Sequence, residues 1–287
     1  MILYFPGMKN KLILLALCLW GFQGRAAKVD TIQVFSKAMQ KNSPVVVITP
    51  DSYDKESSKN YPVIYLLHGY GGNFASWVKT VKSLPALADT YQCLIICPDG
   101  AFGSWYFDSP VDPSYKYETY VAEELVKYTD EHYRTIADRA HRAVTGLSMG
   151  GHGGLYLGIR HKDTFGAAGS MSGGVDFRPF PKKWDIAQRL GDYSANPDRW
   201  YQYTVMAQLP KLKNGDLQII IDCGVDDFFI DVNRKLHEAL IDMKINHDYT
   251  ERPGKHNWIY WMNSVQYQCL FFSRFFNGDY PVVMNRN

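Results

Sequence analysis

Cysteine is scarce in this sequence, with 5 in 287 residues. Cys93 and Cys97 share the run Cys93-Leu94-Ile95-Ile96-Cys97, and an extended strand would hold them about 13 Å apart, too far to bridge. Together with Cys223 and Cys269 they show no zinc-ligand spacing, so all four are expected as buried thiols. An excess of one charge is missing too. The 31 Lys+Arg and 29 Asp+Glu leave a formal net charge of +2. No dense basic run occurs, which argues against nucleic acid as a partner. There is no internal repeat and no low-complexity linker. A chain of this length then suits one large domain better than two.

Apolar runs long enough to span a bilayer are also lacking. Leu12–Phe22 is too short for that, but it follows the basic residues Lys9 and Lys11 and precedes Gly24-Arg25-Ala26. That order reads as a secretory signal over residues 1–26, cleaved after Ala26 or Ala27. Leu17 and Leu19 flank Cys18 poorly for a lipoprotein anchor. The expectation is a soluble mature chain, residues 27–287, in the periplasm or secreted, without stable membrane insertion. Without Lys9, Lys11 and Arg25 the 31 basic residues become 28 against 29 acidic ones, so the mature net charge is −1.

What the chain does have is alternation. Ile32–Phe35, Val45–Ile48, Val63–Leu67, Leu94–Cys97, Ala143–Thr145, Ala167–Met171, Leu217–Asp222 and His247–Glu251 read as strands. Several are continuous apolar runs, as parallel strands covered on both faces require. Between them Tyr117, Val121, Leu125 and Tyr128 recur at helical spacing, as do Phe229, Val232, Leu236, Leu240 and Met243. A last helix is expected over Trp258 to Phe276. The pattern predicts an α/β fold, a mostly parallel central sheet with helices on both faces. The early strands have shorter connections that also suit antiparallel pairing. Asp176 to Lys213, rich in proline and aromatics, breaks the rhythm. It reads either as a small cap over the strand ends or as a long solvated connection.

The most informative stretch is Gly146-Leu147-Ser148-Met149-Gly150-Gly151. It is G-x-S-x-G between an apolar strand and a small-residue helix, the setting that lifts a serine hydroxyl above a sheet on a strained turn. Such a serine needs a base, and the base an orienting acid, in the chain order Ser, Asp or Glu, His. In Asp222-Cys223-Gly224-Val225-Asp226-Asp227 a strand ends at a glycine and acids follow. Asp226 and Asp227 are both candidates on spacing, with Asp222 a weaker third. Among 8 histidines, His256 alone lies in the last strand-to-helix loop after the acid. The backbone N–H of Met149 is one expected oxyanion donor. The glycine-rich turn after Tyr65-Leu66-Leu67-His68 supplies the second, with His68 ordering that loop.

These residues together, His68-Gly69-Tyr70-Gly71-Gly72, the serine turn, Cys223-Gly224-Val225-Asp226-Asp227 and Gly254-Lys255-His256-Asn257-Trp258, resemble the esterase D family of α/β-hydrolases. That group includes S-formylglutathione hydrolases, feruloyl and acetyl-xylan esterases and mycolyltransferases. The resemblance spans about Ile32 to Phe276. It implies Asp227 as the acid, Tyr70 as the second oxyanion donor and Trp258 as a pocket wall.

The expected activity is hydrolysis of carboxylic esters by Ser148, His256 and Asp227, with no metal or organic cofactor. The export signal and the loop Gly103-Ser104-Trp105-Tyr106-Phe107 favour feruloyl or acetyl esters on plant polysaccharide, with Trp105, Tyr106 and Trp258 as substrate-stacking candidates. Trp105 and Tyr106 also read as ordinary packing residues. A generic short-chain esterase and an acyltransferase to sugar use the same residues. A non-catalytic carbohydrate-binding relative should show a broken triad, and none of the three residues is missing.

Overall fold

The structure, a computed structural model, describes residues 27–279; the expected signal segment and Cys18 lie outside them. Eight strands form one sheet: β1 (Lys28–Ser36), β2 (Lys41–Thr49), β3 (Val63–Leu67), β4 (Leu94–Pro98), β5 (Arg142–Gly146), β6 (Ala167–Met171), β7 (Gln218–Gly224) and β8 (Asp248–Arg252). Their order is β1-β2-β4-β3-β5-β6-β7-β8. The first two pairings, β1 with β2 and β2 with β4, are antiparallel, and the rest are parallel. Each expected strand is present within a few residues of its predicted bounds, β1 and β2 extending furthest beyond them.

The helices are α1 (Ser76–Thr80), α2 (Leu84–Tyr91), α3 (Tyr117–Thr119), α4 (Leu125–His132), α5 (Met149–Arg160), α6 (Ile186–Leu190), α7 (Pro197–Gln202), α8 (Ile230–Asp242) and α9 (Trp258–Phe276). A π-helical turn, Tyr120–Glu124, joins α3 to α4. Its five residues stand where regular helical spacing predicted uninterrupted α-helix.

Strand periodicity divides the core in two. Along β3, Val63, Tyr65 and Leu67 point into one apolar layer and Ile64 and Leu66 into the other, as side-chain alternation requires. The first layer also takes Leu125 of α4, Leu155 of α5 and Leu236 of α8. The second takes Leu84 of α2 and Val265, Cys269 and Phe272 of α9. Central strands β3 to β6 are buried along their whole length, whereas the edges β1 and β8 alternate with solvent. The four cysteines at 93, 97, 223 and 269 are free and buried, as expected. Burial pushes all four thiols upward in pKa, which leaves them protonated and unreactive. No helix among the described residues is long and apolar enough to cross a membrane.

The stretch 176–213 joins β6 to β7 and carries α6 and α7. Phe177, Ile186, Leu190, Trp200 and Leu209 are buried in the first layer. It is therefore a packed cap and not a solvated connection.

Candidate active site

β5 ends at Gly146 and α5 begins at Met149, leaving two residues for the turn. Ser148 sits there with φ 56° and ψ −115°, a conformation that costs a non-glycine residue on the order of 1–3 kcal/mol. Close contacts hold it in place. A Cβ on Gly146 would lie 2.5 Å from the Leu67 carbonyl oxygen, and one on Gly150 would meet the same oxygen at 2.5 Å. Only glycine lets β3, β5 and α5 approach this closely. The Ser148 N–H donates to the Met171 carbonyl at 2.9 Å.

Asp227 and His256 arrive on neighbouring loops, after β7 and β8. The loops are tied together by Val225 N–H to Arg252 O at 2.9 Å and Asp226 N–H to Gly254 O at 3.0 Å. His256 Nε2 lies 2.9 Å from Ser148 Oγ and its Nδ1 lies 2.8 Å from Asp227 Oδ2. A carboxylate only accepts, so Nδ1 carries the proton and Nε2 is free to accept from the serine hydroxyl. The other carboxylate oxygen of Asp227 accepts from the Phe229 N–H at 2.8 Å. Asp227 is 2% exposed.

The other two acids are elsewhere. Asp226 points to solvent. Asp222 is buried beside α9, where Ser264 and Gln268 donate to it, Gln268 at 2.9 Å, with Arg252 at 3.4 Å. Burial holds its carboxyl above the usual range.

The loop after β3 lies against the serine: a Cβ on Gly69 would sit 3.3 Å from Ser148 Cβ. The amides around it are engaged, Gly71 N–H with Phe102 O, Gly72 N–H with Gly69 O and Gly150 N–H with Leu147 O. The N–H groups of Tyr70 and Met149 enter no such turn bond. His68 sets this loop. Its Nε2 accepts from the Gly100 N–H at 2.7 Å, so its protonated Nδ1 donates to Gly69 O at 2.8 Å. Burial lowers its pKa and keeps it neutral.

Two expected substrate contacts need correction. Trp105 is 1% and Tyr106 0% exposed. Both take left-handed backbone angles, φ 57° and 56°. Trp105 packs edge-on against His152 and Phe177, and the Tyr106 hydroxyl donates to the His68 carbonyl at 3.1 Å. They are packing residues beneath the site. Trp258 is partly buried, edge-on to Trp77 and Trp261. The exposed rings around the site are others, one beside His256 and one beside Tyr70. Phe228, 50% exposed, lies 4.2 Å from the imidazole and stacks on Trp184 of the cap at 5.8 Å. Phe102, 58% exposed, stands edge-on to Tyr70 at 4.8 Å. The Tyr70 hydroxyl donates to Asp185 of the cap at 2.7 Å. Burial and that carboxylate push its pKa up to about 12. Phe228 stands directly after the acid in the sequence, a signal that position alone could have supplied.

The Esterase family model matches residues 36–270. The chain belongs to the Esterase family. The esterase is 27% identical over 248 residues to the acetyl esterase of Caldicellulosiruptor saccharolyticus, covering 80% of this chain and 92% of that one. A solved ferulic acid esterase is 30% identical, with a TM-score of 0.73 over 88% of this chain and 99% of its own. The diacylglycerol acyltransferase/mycolyltransferase Ag85B of Mycolicibacterium smegmatis is 26% identical over 71% of this chain and 74% of its own. The fold is that of the α/β-hydrolases and the esterase is a carboxylic-ester hydrolase, as the resemblance implied.

Proposed function

We propose that this protein is an exported serine esterase that removes feruloyl or acetyl groups from plant polysaccharide. The observation that carries the mechanism is the hydrogen-bonded series from Ser148 Oγ through His256 to Asp227, at 2.9 and 2.8 Å. Ser148 attacks the ester carbonyl as His256 Nε2 takes its proton. Asp227 holds the imidazole in this tautomer and stabilises it once charged. The N–H groups of Tyr70 and Met149 receive the developing oxyanion, a contribution of about 3–4 kcal/mol per donor in comparable sites. His256 then protonates the departing alcohol oxygen, leaving the acyl group on Ser148. Water, activated by the same imidazole, releases the acid.

Phe228, with Trp184 behind it, offers a flat apolar face beside the base. That favours a planar aromatic acyl group, and the similarity to a ferulic acid esterase agrees with it. Export rests on the signal pattern in residues 1–26. The similarity to Ag85B supports a second reading, transfer of the acyl group to a sugar hydroxyl in place of water.

The test is acid release by residues 27–287 from methyl ferulate, acetylated xylan and p-nitrophenyl acetate, with Ser148→Ala as control. Preference for the first or second supports this reading. Activity on p-nitrophenyl acetate alone leaves a generic esterase. Acylated sugar forming when an acceptor is supplied identifies the transferase.

A further inference from the structure

A cavity of about 340 Å³ lies away from the serine. It opens where the loop before α3, the π-helical turn, the end of α5 and the end of α7 meet. Asp108, Glu118, Tyr156, Arg160, Gln202 and Tyr203 line it. Counting along α5 at 1.5 Å per residue, Tyr156 is about 12 Å and Arg160 about 18 Å from Ser148. Nothing in the ester chemistry uses these residues.

Two buried groups in this wall are incompletely satisfied. The Tyr156 residue is 1% exposed and Glu118 8%. Glu118 Oε1 takes hydrogen bonds from both Arg160, at 2.6 Å, and His161, at 2.9 Å. Neither its Oε2 nor the Tyr156 hydroxyl bonds to any described residue. Neither is sealed inside protein, so each opens on the cavity. Each can take its remaining hydrogen bond only from what fills the cavity, water or a ligand. The π-helical turn is a second indication. Such turns recur at functional sites, and this one brings Glu123 to the same wall as Glu118 and Thr119.

The chemistry of the wall narrows the occupant. Three carboxylates against one guanidinium reject an anion. No cluster of His, Cys, Asp and Glu among the described residues is arranged to hold a metal ion. A cation finds little unpaired charge, because Glu118 is bonded to Arg160 and His161 and Asp108 accepts from the Thr119 N–H and hydroxyl. A neutral polyol fits better, because each of its hydroxyls both donates and accepts. Acceptors are Glu118 Oε2 and Glu123. Donors are the Tyr156 hydroxyl and the Gln202 amide. The half-buried ring of Tyr203 gives the wall its aromatic surface.

We propose that this cavity is a carbohydrate-binding site separate from the ester-cleaving one, holding sugar units of a neutral glycan. The proposal does not depend on the reaction at Ser148, and it is tested by binding. Xylotetraose, mannotetraose and cellotetraose are titrated by calorimetry into the Ser148→Ala chain, with spermidine and pyrophosphate as charged probes. The expected result is binding of at least one tetrasaccharide and of neither charged probe. Tyr156→Phe, which removes only the unpartnered hydroxyl, and Gln202→Ala should each weaken it about tenfold. Both should leave the melting temperature and p-nitrophenyl acetate hydrolysis of the Ser148-containing chain unchanged. Failure of every tetrasaccharide to bind in the millimolar range would mean that water alone fills the cavity. That result, preferential binding of spermidine or pyrophosphate, or sugar binding indifferent to both substitutions, would overturn the proposal.

Discussion

Replacing Asp227 by asparagine should disable the enzyme through a proton in the wrong place. Asp227 uses one oxygen to accept from the Phe229 N–H at 2.8 Å and the other to accept from His256 Nδ1 at 2.8 Å. In Asp227→Asn the amide has one oxygen and one NH₂. The Phe229 N–H cannot bond to the NH₂, so the amide oxygen must stay there and the NH₂ must face the imidazole. Nδ1 then has to accept, the ring proton moves to Nε2, and Nε2 can no longer accept from Ser148 Oγ. A change of tautomer of this kind lowers kcat by about 10⁴-fold, or ~5 kcal/mol in the barrier. Asp226→Asn alters an exposed side chain and should change kcat by less than about twofold. The assay is kcat for p-nitrophenyl acetate at pH 7.5, with melting temperatures to show that both variants fold. Near-normal turnover in folded Asp227→Asn, or a larger loss in Asp226→Asn, would refute the assignment of the acid.

Three further outcomes follow from the same geometry. Gly146→Ala places a methyl 2.5 Å from the Leu67 oxygen and 2.7 Å from Gly150 backbone atoms; it should destabilise the fold by about 3 kcal/mol, a fall of about 6–12 °C in Tm by calorimetry. Phe228→Ala should lower kcat/KM about tenfold for methyl ferulate and little for p-nitrophenyl acetate, since only the first presents a planar acid to stack. His152 is fully buried with its ring nitrogens 3.0 and 2.9 Å from the Trp105 and Tyr203 carbonyl oxygens; burial lowers its pKa to about 4 from 6.5, outweighing these two acceptors, which favour the charged ring. Its depressed folded pKa means that the neutral form is favoured by the fold, so that this contribution is complete above pH 6.5 and is lost as pH falls from 6.5 towards 4. That amounts to about 3 kcal/mol, read as a decline in urea-unfolding stability over that window that His152→Phe should flatten.

Much of the architecture was legible because burial on both faces writes itself as apolar runs. Val63–Leu67 and Leu94–Cys97 are continuous apolar runs of strand length, which reads as interior strand, and β5 to α5 carried its turn in glycines. Ser148 and His256 were legible from position along the chain. The choice of Asp227 over Asp226 was not, since spacing treats adjacent acids alike. It came from a family resemblance, and the structure separates them by burial, Asp227 being 2% exposed and Asp226 exposed. Trp105 and Tyr106 were misplaced because composition cannot distinguish a ring turned outward from one turned inward. Their left-handed backbone is a property of the folded loop. Phe228, Trp184 and Tyr70 come together only through the cap, across tens to more than a hundred residues, a juxtaposition no local pattern reports. The cavity beside the π-helical turn was likewise invisible to a periodicity that expected plain α-helix.

The most direct measurement is covalent trapping of the nucleophile. The chain is treated with diethyl p-nitrophenyl phosphate, which phosphorylates an activated serine, and intact and peptide masses are read. One diethyl phosphoryl group per chain, on the peptide containing Ser148, with hydrolysis lost in proportion and no labelling of Ser148→Ala, is the expected result. Labelling of a different residue, or ester hydrolysis surviving in Ser148→Ala, would contradict a mechanism built on Ser148, His256 and Asp227.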